Sequence, residues 1–234
     1  MMSGFIKSME FNETHNGIPA KGISYIGKGY YLYEIRNTST NVLYDISVQS
    51  VNNICDMCLI TKHTDDKVVI SDVGVNLSKI TGNYTYDGLS MRYKSVNDIL
   101  KFIKSLEKYY SSKLPLAEYN SNEKKGFTKL SDTKENNTRI VDYIDKARGY
   151  SVRVLLDLVS KRVLKIGVSK LKGYVLPITP VYDSSNRIID FIATIDVNVV
   201  GRNLSYSELN NFYKAMHNAI ETLKYLRKRY LNLQ

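Results

Sequence analysis

Along most of the chain hydrophobic and polar positions alternate with period two, and in two places the period changes to three or four, so strands closed by two helices are expected. Tyr30-Tyr31-Leu32-Tyr33-Glu34-Ile35-Arg36 is aromatic and β-branched, and Asn37-Thr38-Ser39-Thr40 ends it with turn chemistry. Further strands are expected over 42–51, 54–62 and 67–77, with Thr64-Asp65-Asp66 as a turn. One more candidate strand, 5–11, precedes a turn at Asn16-Gly17. Ser95 then fits an N-cap, with Asp98 in the first turn where a negative charge suits the helix dipole. Val96, Ile99, Leu100, Ile103 and Leu106 form the apolar stripe of a helix running to about Tyr110.

The second half follows the same plan. A short helix is expected over 140–146, and strands over 150–159 and 162–170 around a Ser160-Lys161 turn. Strands over 174–182 and 188–200 flank the loop Asp183-Ser184-Ser185-Asn186. Ser205-Tyr206-Ser207-Glu208 is a capping box, and Leu209, Phe212, Tyr213, Met216, Ile220 and Leu223 make the stripe of a last helix. Its length suits packing on the other half or on another subunit.

The two halves echo each other. Ile46 and Val48 match Ile166 and Val168, and Lys67-Val68-Val69 matches Arg187-Ile188-Ile189, all at one offset of 120 residues. The fold class expected is α+β, with two repeats of four antiparallel strands followed by a helix, ββββα-ββββα. The first repeat is placed at 23–112 and the second at 139–234, joined by a polar linker over 113–138, with one compact domain overall as the variant arrangement. Lys67 to Ser95 is ten residues longer than Arg187 to Ser205, so the tyrosine-bearing stretch 82–93 is assigned as an insertion in the first repeat.

Charge adds a partner class. Of 234 residues, 33 are Lys or Arg and 23 are Asp or Glu, leaving a net charge of +10 that attracts polyanions. No apolar stretch reaches the roughly 20 residues of a membrane helix, and the first residues lack a secretory pattern. An intracellular protein of cytoplasm or nucleoid, not secreted and without a membrane partner, is expected.

Catalytic and metal signatures are thin. Cys55-Asp56-Met57-Cys58 with His63 begins like a zinc knuckle, but Val68 stands where a fourth ligand is needed, so two half-buried thiols are the expectation. His15, His63 and His217 match no triad, and Gly27-Lys28-Gly29 is a hairpin turn rather than a phosphate loop. Asp142, Asp145 and Lys146 are the only start of a metal-dependent nuclease site. No enzyme activity and no cofactor are expected.

Aromatics and cations say more. Nineteen tyrosines and no tryptophan are present, several in strands beside basic residues. Flat rings on a sheet stack unpaired bases while cations follow phosphates. Lys28, Tyr31, Tyr33 and the pair Lys172 and Tyr174 are candidates on this ground. On 150–159 the apolar set Val152, Val154, Leu156 and Leu158 puts Arg153 on the other face. On 162–170 Leu164, Ile166 and Val168 leave Lys165 opposite, with Lys161 in step and Lys170 closing the strand. One basic sheet face is therefore expected to lie along a phosphate backbone.

This layout, four antiparallel strands and a helix repeated over about 30–110 and 150–230, resembles the Whirly-type single-stranded-DNA-binding fold and its single-repeat relatives among transcriptional coactivators. Pur-type repeats share a similar order. The Lys-Gly-Lys-Ala-Ala-Leu signature of plant Whirly proteins is absent. The resemblance implies curved sheets packed by helices, and a homo-oligomer that binds single-stranded DNA or RNA across sheet surfaces. The competing class is a structural or assembly protein, viral or clamp-like, built on protein contacts.

Overall fold

The computed structural model describes residues 4–50, 55–64, 67–115, 125–171 and 175–231. The chain is α+β, and the strands of the described residues form four antiparallel sheets. Strands β1 (Ile6–His15), β2 (Ile18–Gly27), β3 (Tyr30–Asn37) and β4 (Leu43–Ser50) form a meander in that order. The hairpin β5 (Asp56–Thr64) and β6 (Lys67–Asn76) follows, then a 3-10 turn at Ser78–Ile80, β7 (Gly82–Tyr84) and helix α1 (Tyr86–Tyr109). A second meander comprises β8 (Thr128–Glu135), β9 (Thr138–Asp145), β10 (Tyr150–Asp157) and β11 (Val163–Lys170). It leads to β12 (Ile178–Tyr182), β13 (Ile188–Ile195), the single turn α2 (Val197–Val200) and α3 (Tyr206–Tyr230).

Contacts group the chain into two compact units that are not the two sequence halves. The first unit comprises Met1–Thr81, Ser95–Ala117 and Val197–Asn210, and the second Gly82–Lys94, Glu118–Asp196 and Asn211–Gln234. Each half therefore lends the segment around its helix start to the other unit. In the first unit β6 gains a bridge from Val75 to Leu204, with Val75 N–H to Leu204 O at 2.8 Å and the return bond at 2.9 Å. In the second, β13 gains β7, in register Ala193 to Tyr84 and Ile195 to Gly82.

The first unit buries Leu32, Ile46 and Val48 of the meander, with Ile99, Phe102, Ile103 and Leu106 of α1. The Tyr30 ring stacks on Phe102 with centroids 4.0 Å apart. In the second unit Val141, Tyr150, Val152, Val154 and Ile166 are buried, as are Phe191 and the α3 stripe of Phe212, Met216, Ala219 and Leu223. Each such large side chain contributes about 1.5–3 kcal/mol over an exposed one.

Several expected elements differ. Among the described residues six strands, not four, precede the short seventh and the helix of the first half, and β8 occupies residues assigned to the polar linker. β8 lies at the edge of its sheet and pairs through its backbone with β9, so it needs little apolar alternation. Residues 140–146 lie in strand β9 rather than a helix: Val141 and Asp145 are buried on one face while Ile140, Asp142 and Ile144 point the other way. The expected insertion holds β7 and the first turns of α1. Thr85, not Ser95, caps that helix, its hydroxyl accepting from Gly88 N–H at 3.5 Å and its carbonyl from Leu89 N–H at 2.9 Å. Asp87 sits in the first turn, where the dipole favours it.

The echo is thereby tighter than the sequence pattern suggested. Tyr30 and Tyr150 open β3 and β10, and Tyr86 and Tyr206 open α1 and α3, both pairs 120 residues apart. Turn conformations recur as well: Asn16 and Asn136 share φ 51°, and Asn41 and Lys161 share φ 59°. Ser205 forms the expected capping box, donating its N–H to Glu208 Oε2 at 3.0 Å and accepting Glu208 N–H at 3.2 Å. Among the described residues no helix is long and apolar enough to cross a membrane.

Candidate nucleic-acid interface

The meander of the second unit has two faces of different chemistry. Its outer face carries Arg153 and Lys165, as the alternation requires, but also Asp142 and Glu135. Arg153 is bound to Asp142 through Nε to Oδ1 at 2.7 Å and Nη2 to Oδ2 at 3.1 Å. The Arg153 guanidinium, with Ser131, holds the Asp142 carboxyl below the usual range. The expected basic face is therefore charge-balanced. Leu164 also leaves the apolar row, because a bulge between Leu155 and Leu156 makes it the extra residue of β11, and it is exposed.

Cations gather instead on the inner face, toward the β8 edge of the sheet. The pairs Lys129 with Tyr143, Asp132 with Val141 and Lys134 with Arg139 share that face. Asp132 accepts Lys129 Nζ at 3.0 Å and both Arg139 Nε at 2.8 Å and Nη2 at 2.7 Å. Those hydrogen bonds, Arg139 first, hold its carboxyl well below the usual range. Lys134, Arg139 and Lys161 line an open groove of about 780 Å³ with Leu156, Asp157 and Leu158. Lys161 reaches it from the β10–β11 turn, where its left-handed φ of 59° is held and its Nζ donates to Leu158 O at 2.5 Å.

Aromatic rings continue this strip. Arg229, near the end of α3, lies 4.6 Å from the centroid of Tyr143 and donates to its hydroxyl at 2.7 Å. The same guanidinium is 5.8 Å from the Tyr225 ring, which stacks on Phe127 at 4.5 Å and 22°. Tyr143, Tyr225 and Phe127 are all half-buried. Five cations, Lys129, Lys134, Arg139, Lys161 and Arg229, face two carboxylates, Asp132 and Asp157. Asp157 is occupied by the backbone N–H groups of Val159 and Ser160 at 3.0 and 2.5 Å. The strip can therefore take phosphates along its cations and flat rings against its aromatics.

Other sequence candidates fall elsewhere. Tyr31 and Tyr33 share the outer face of the first meander, and Tyr33 donates to Glu13 at 3.0 Å. Lys28 occupies the β2–β3 turn with φ 51°, its side chain over Gly4. Lys170 ends β11, exposed, while Lys172 and Tyr174 lie outside the described residues. Asp142 and Asp145 point to opposite faces of β9, and Asp145 is buried against Arg148 at 2.9 Å, so the carboxylates of the conceivable nuclease site do not converge. Cys55 is buried and Cys58 exposed, rather than both half-buried, and burial pushes the Cys55 thiol up to about 11. A second concavity in this unit, about 330 Å³, is edged by Tyr93, Lys125, Tyr213, Lys214 and His217. The faces of Tyr93 and Tyr213 there are stacked on each other at 4.3 Å.

Of the strip, sequence reasoning named Lys161. It missed Lys129, Lys134, Arg139 and Tyr143 because β8 read as linker and β9 as helix. The 120-residue echo carried the missing signal: Asn16-Gly17 between β1 and β2 predicts the Asn136-Asn137 turn between two further strands. Comparison with family models, curated proteins and solved structures finds no match to this chain.

Proposed function

We propose that this protein is a non-catalytic binder of single-stranded nucleic acid, and that the strand lies along the inner β8–β9 strip of the second unit. The observation that carries the reading is the interleaving of Lys129, Lys134, Arg139, Lys161 and Arg229 with Tyr143, Tyr225 and Phe127. The net charge of +10 adds a long-range attraction for a polyanion. Stacking contributes roughly 1–3 kcal/mol per base and tolerates any sequence, while each phosphate contact makes binding weaker as salt rises. A Whirly-like repeat framework belongs to the same reading, with the duplicated meanders serving as platforms.

Anisotropy titrations of labelled single-stranded and duplex oligonucleotides over a salt series test it. Single strands bind more tightly than duplex, and five phosphate contacts give a log–log salt slope of about −3.5. Arg139→Ala with Arg229→Ala lowers that slope by about 1.4. Lys104→Ala, which removes one exposed charge from α1, leaves it unchanged. Absence of binding at low salt, or equal loss in both variants, sinks the assignment.

A further inference from the structure

The outer face of the β1–β4 meander has the opposite chemistry. From β1 it carries Ile6, Met9 and Phe11, from β2 Ile18 and Ile26, and from β3 Tyr31, Tyr33 and Ile35. Six of these stand open: Ile6 72 %, Met9 58 %, Ile18 47 %, Tyr31 42 %, Phe11 39 % and Ile26 37 % exposed. With large side chains of about 200 Å² each, those fractions leave roughly 600 Å² of bare apolar surface. That is the upper end of the largest patch on an ordinary monomer, roughly 300–600 Å².

The cover over this face is built, not incidental. Phe11 and Tyr33 lean over Gly22 from both sides and stack with centroids 5.8 Å apart at 19°. A Cβ at Gly22 would stand 2.4 Å from Tyr33 Oη and 2.7 Å from Phe11 Cζ. His15 and Tyr44 stack beside them at 5.3 Å. The strand residues of this face include no lysine or arginine, and its two carboxylates are engaged: Glu13 accepts the Tyr33 hydroxyl and Asp45 accepts Ile46 N–H at 2.8 Å. A phosphate backbone finds no counter-charge here.

We propose that this face joins two copies of the chain, sheet against sheet. The area argues for a copy: 600 Å² of open side chains, with the half-buried Tyr33, Ile35 and Tyr44, approaches the ~800 Å² per partner of a standard specific interface. An isologous pair needs only one self-complementary patch, which a largely apolar sheet face supplies. Because the patch holds no cation while the rest of each copy is positive, added salt screens the repulsion between copies and favours the pair. Salt thus acts on this surface with the sign opposite to its effect on oligonucleotide binding, and the failure of one proposal is distinguishable from failure of the other.

Sedimentation velocity of the full chain at tens of micromolar, in low and high salt without oligonucleotide, is the test. The expected result is twice the chain mass, more fully formed in high salt. Met9→Lys with Tyr31→Lys brings the mass to that of one chain and weakens the dissociation constant at least about a hundredfold, with circular dichroism unchanged. Ile18→Lys alone, at another part of the face, weakens it in the same direction and guards against a misfolded double variant. A single-chain mass for the wild type in high salt overturns the proposal. So does a double variant that still pairs, or one that keeps its mass and loses oligonucleotide binding instead.

Discussion

Glu34 should be the most sensitive polar position of the first unit. Its side chain is fully buried on β3, where Tyr110 Oη donates to Oε1 at 2.5 Å and Arg36 Nε donates to Oε2 at 2.8 Å. Glu34→Ala leaves the buried Tyr110 hydroxyl without its acceptor, a loss of about 1–3 kcal/mol. It also strips Arg36 of its carboxylate, although that guanidinium keeps the Asn41 carbonyl at 3.1 Å. Together these place the cost at about 3–5 kcal/mol, the range for breaking a buried pair from one side. For a chain of this size that is a fall in melting temperature of roughly 6–20 °C. Tyr110→Phe alone should cost about 1–2 kcal/mol, since one lobe of the carboxylate remains with Arg36. The triple change Glu34→Leu, Arg36→Met and Tyr110→Phe should recover most of the loss, because no buried charge or hydroxyl is then orphaned. Urea unfolding measures the sum, and hydrogen exchange of β3 amides reads it locally. A Glu34→Ala cost below about 1 kcal/mol, or a triple variant no better than the single, refutes the reasoning.

Acid should destabilise the second meander through Asp142. Its carboxyl lies below the ordinary 3.8 when folded, chiefly through Arg153, so its contribution is complete above that value and is lost as pH falls through the lowered one. Arg153→Ala should flatten that acid limb in melting curves from about pH 5 to 2. Of the two thiols, Cys58 should react at once with a disulfide reagent and Cys55 only on unfolding, since burial pushes its pKa up to about 11; simultaneous reaction would contradict this. Thr85→Ala should cost about 1 kcal/mol and Ser95→Ala much less, reversing the order that the hydrophobic stripe alone implies. Residues 1–117 alone should lack the cooperative melting that mixing with 118–234 restores, because Leu204 and Val200 complete the first unit; an independently cooperative fragment contradicts that.

By itself the sequence determined the α+β class, the β3, β4, β10 and β11 strands in outline, the apolar stripes of both long helices and the capping box at Ser205. These are local: alternation, helical spacing and a cap depend on residues a few positions apart. The 120-residue echo was also legible, since it asks only that the chain be compared with itself. Tertiary structure alone decided the rest. Strand β8, at a sheet edge, is held by backbone pairing and leaves almost no apolar signature. Leu204 meets Val75, and Tyr206 N–H reaches Asp72 at 3.1 Å, from more than a hundred residues away, which no window of sequence reports. Alternation separated Arg153 from Val152 correctly, yet could not show Asp142 beside it or Arg229 arriving over Tyr143 from the last helix. Period two says which side chains share a face; what lies opposite that face, and whether it cancels or adds to its charge, is settled only when distant segments meet.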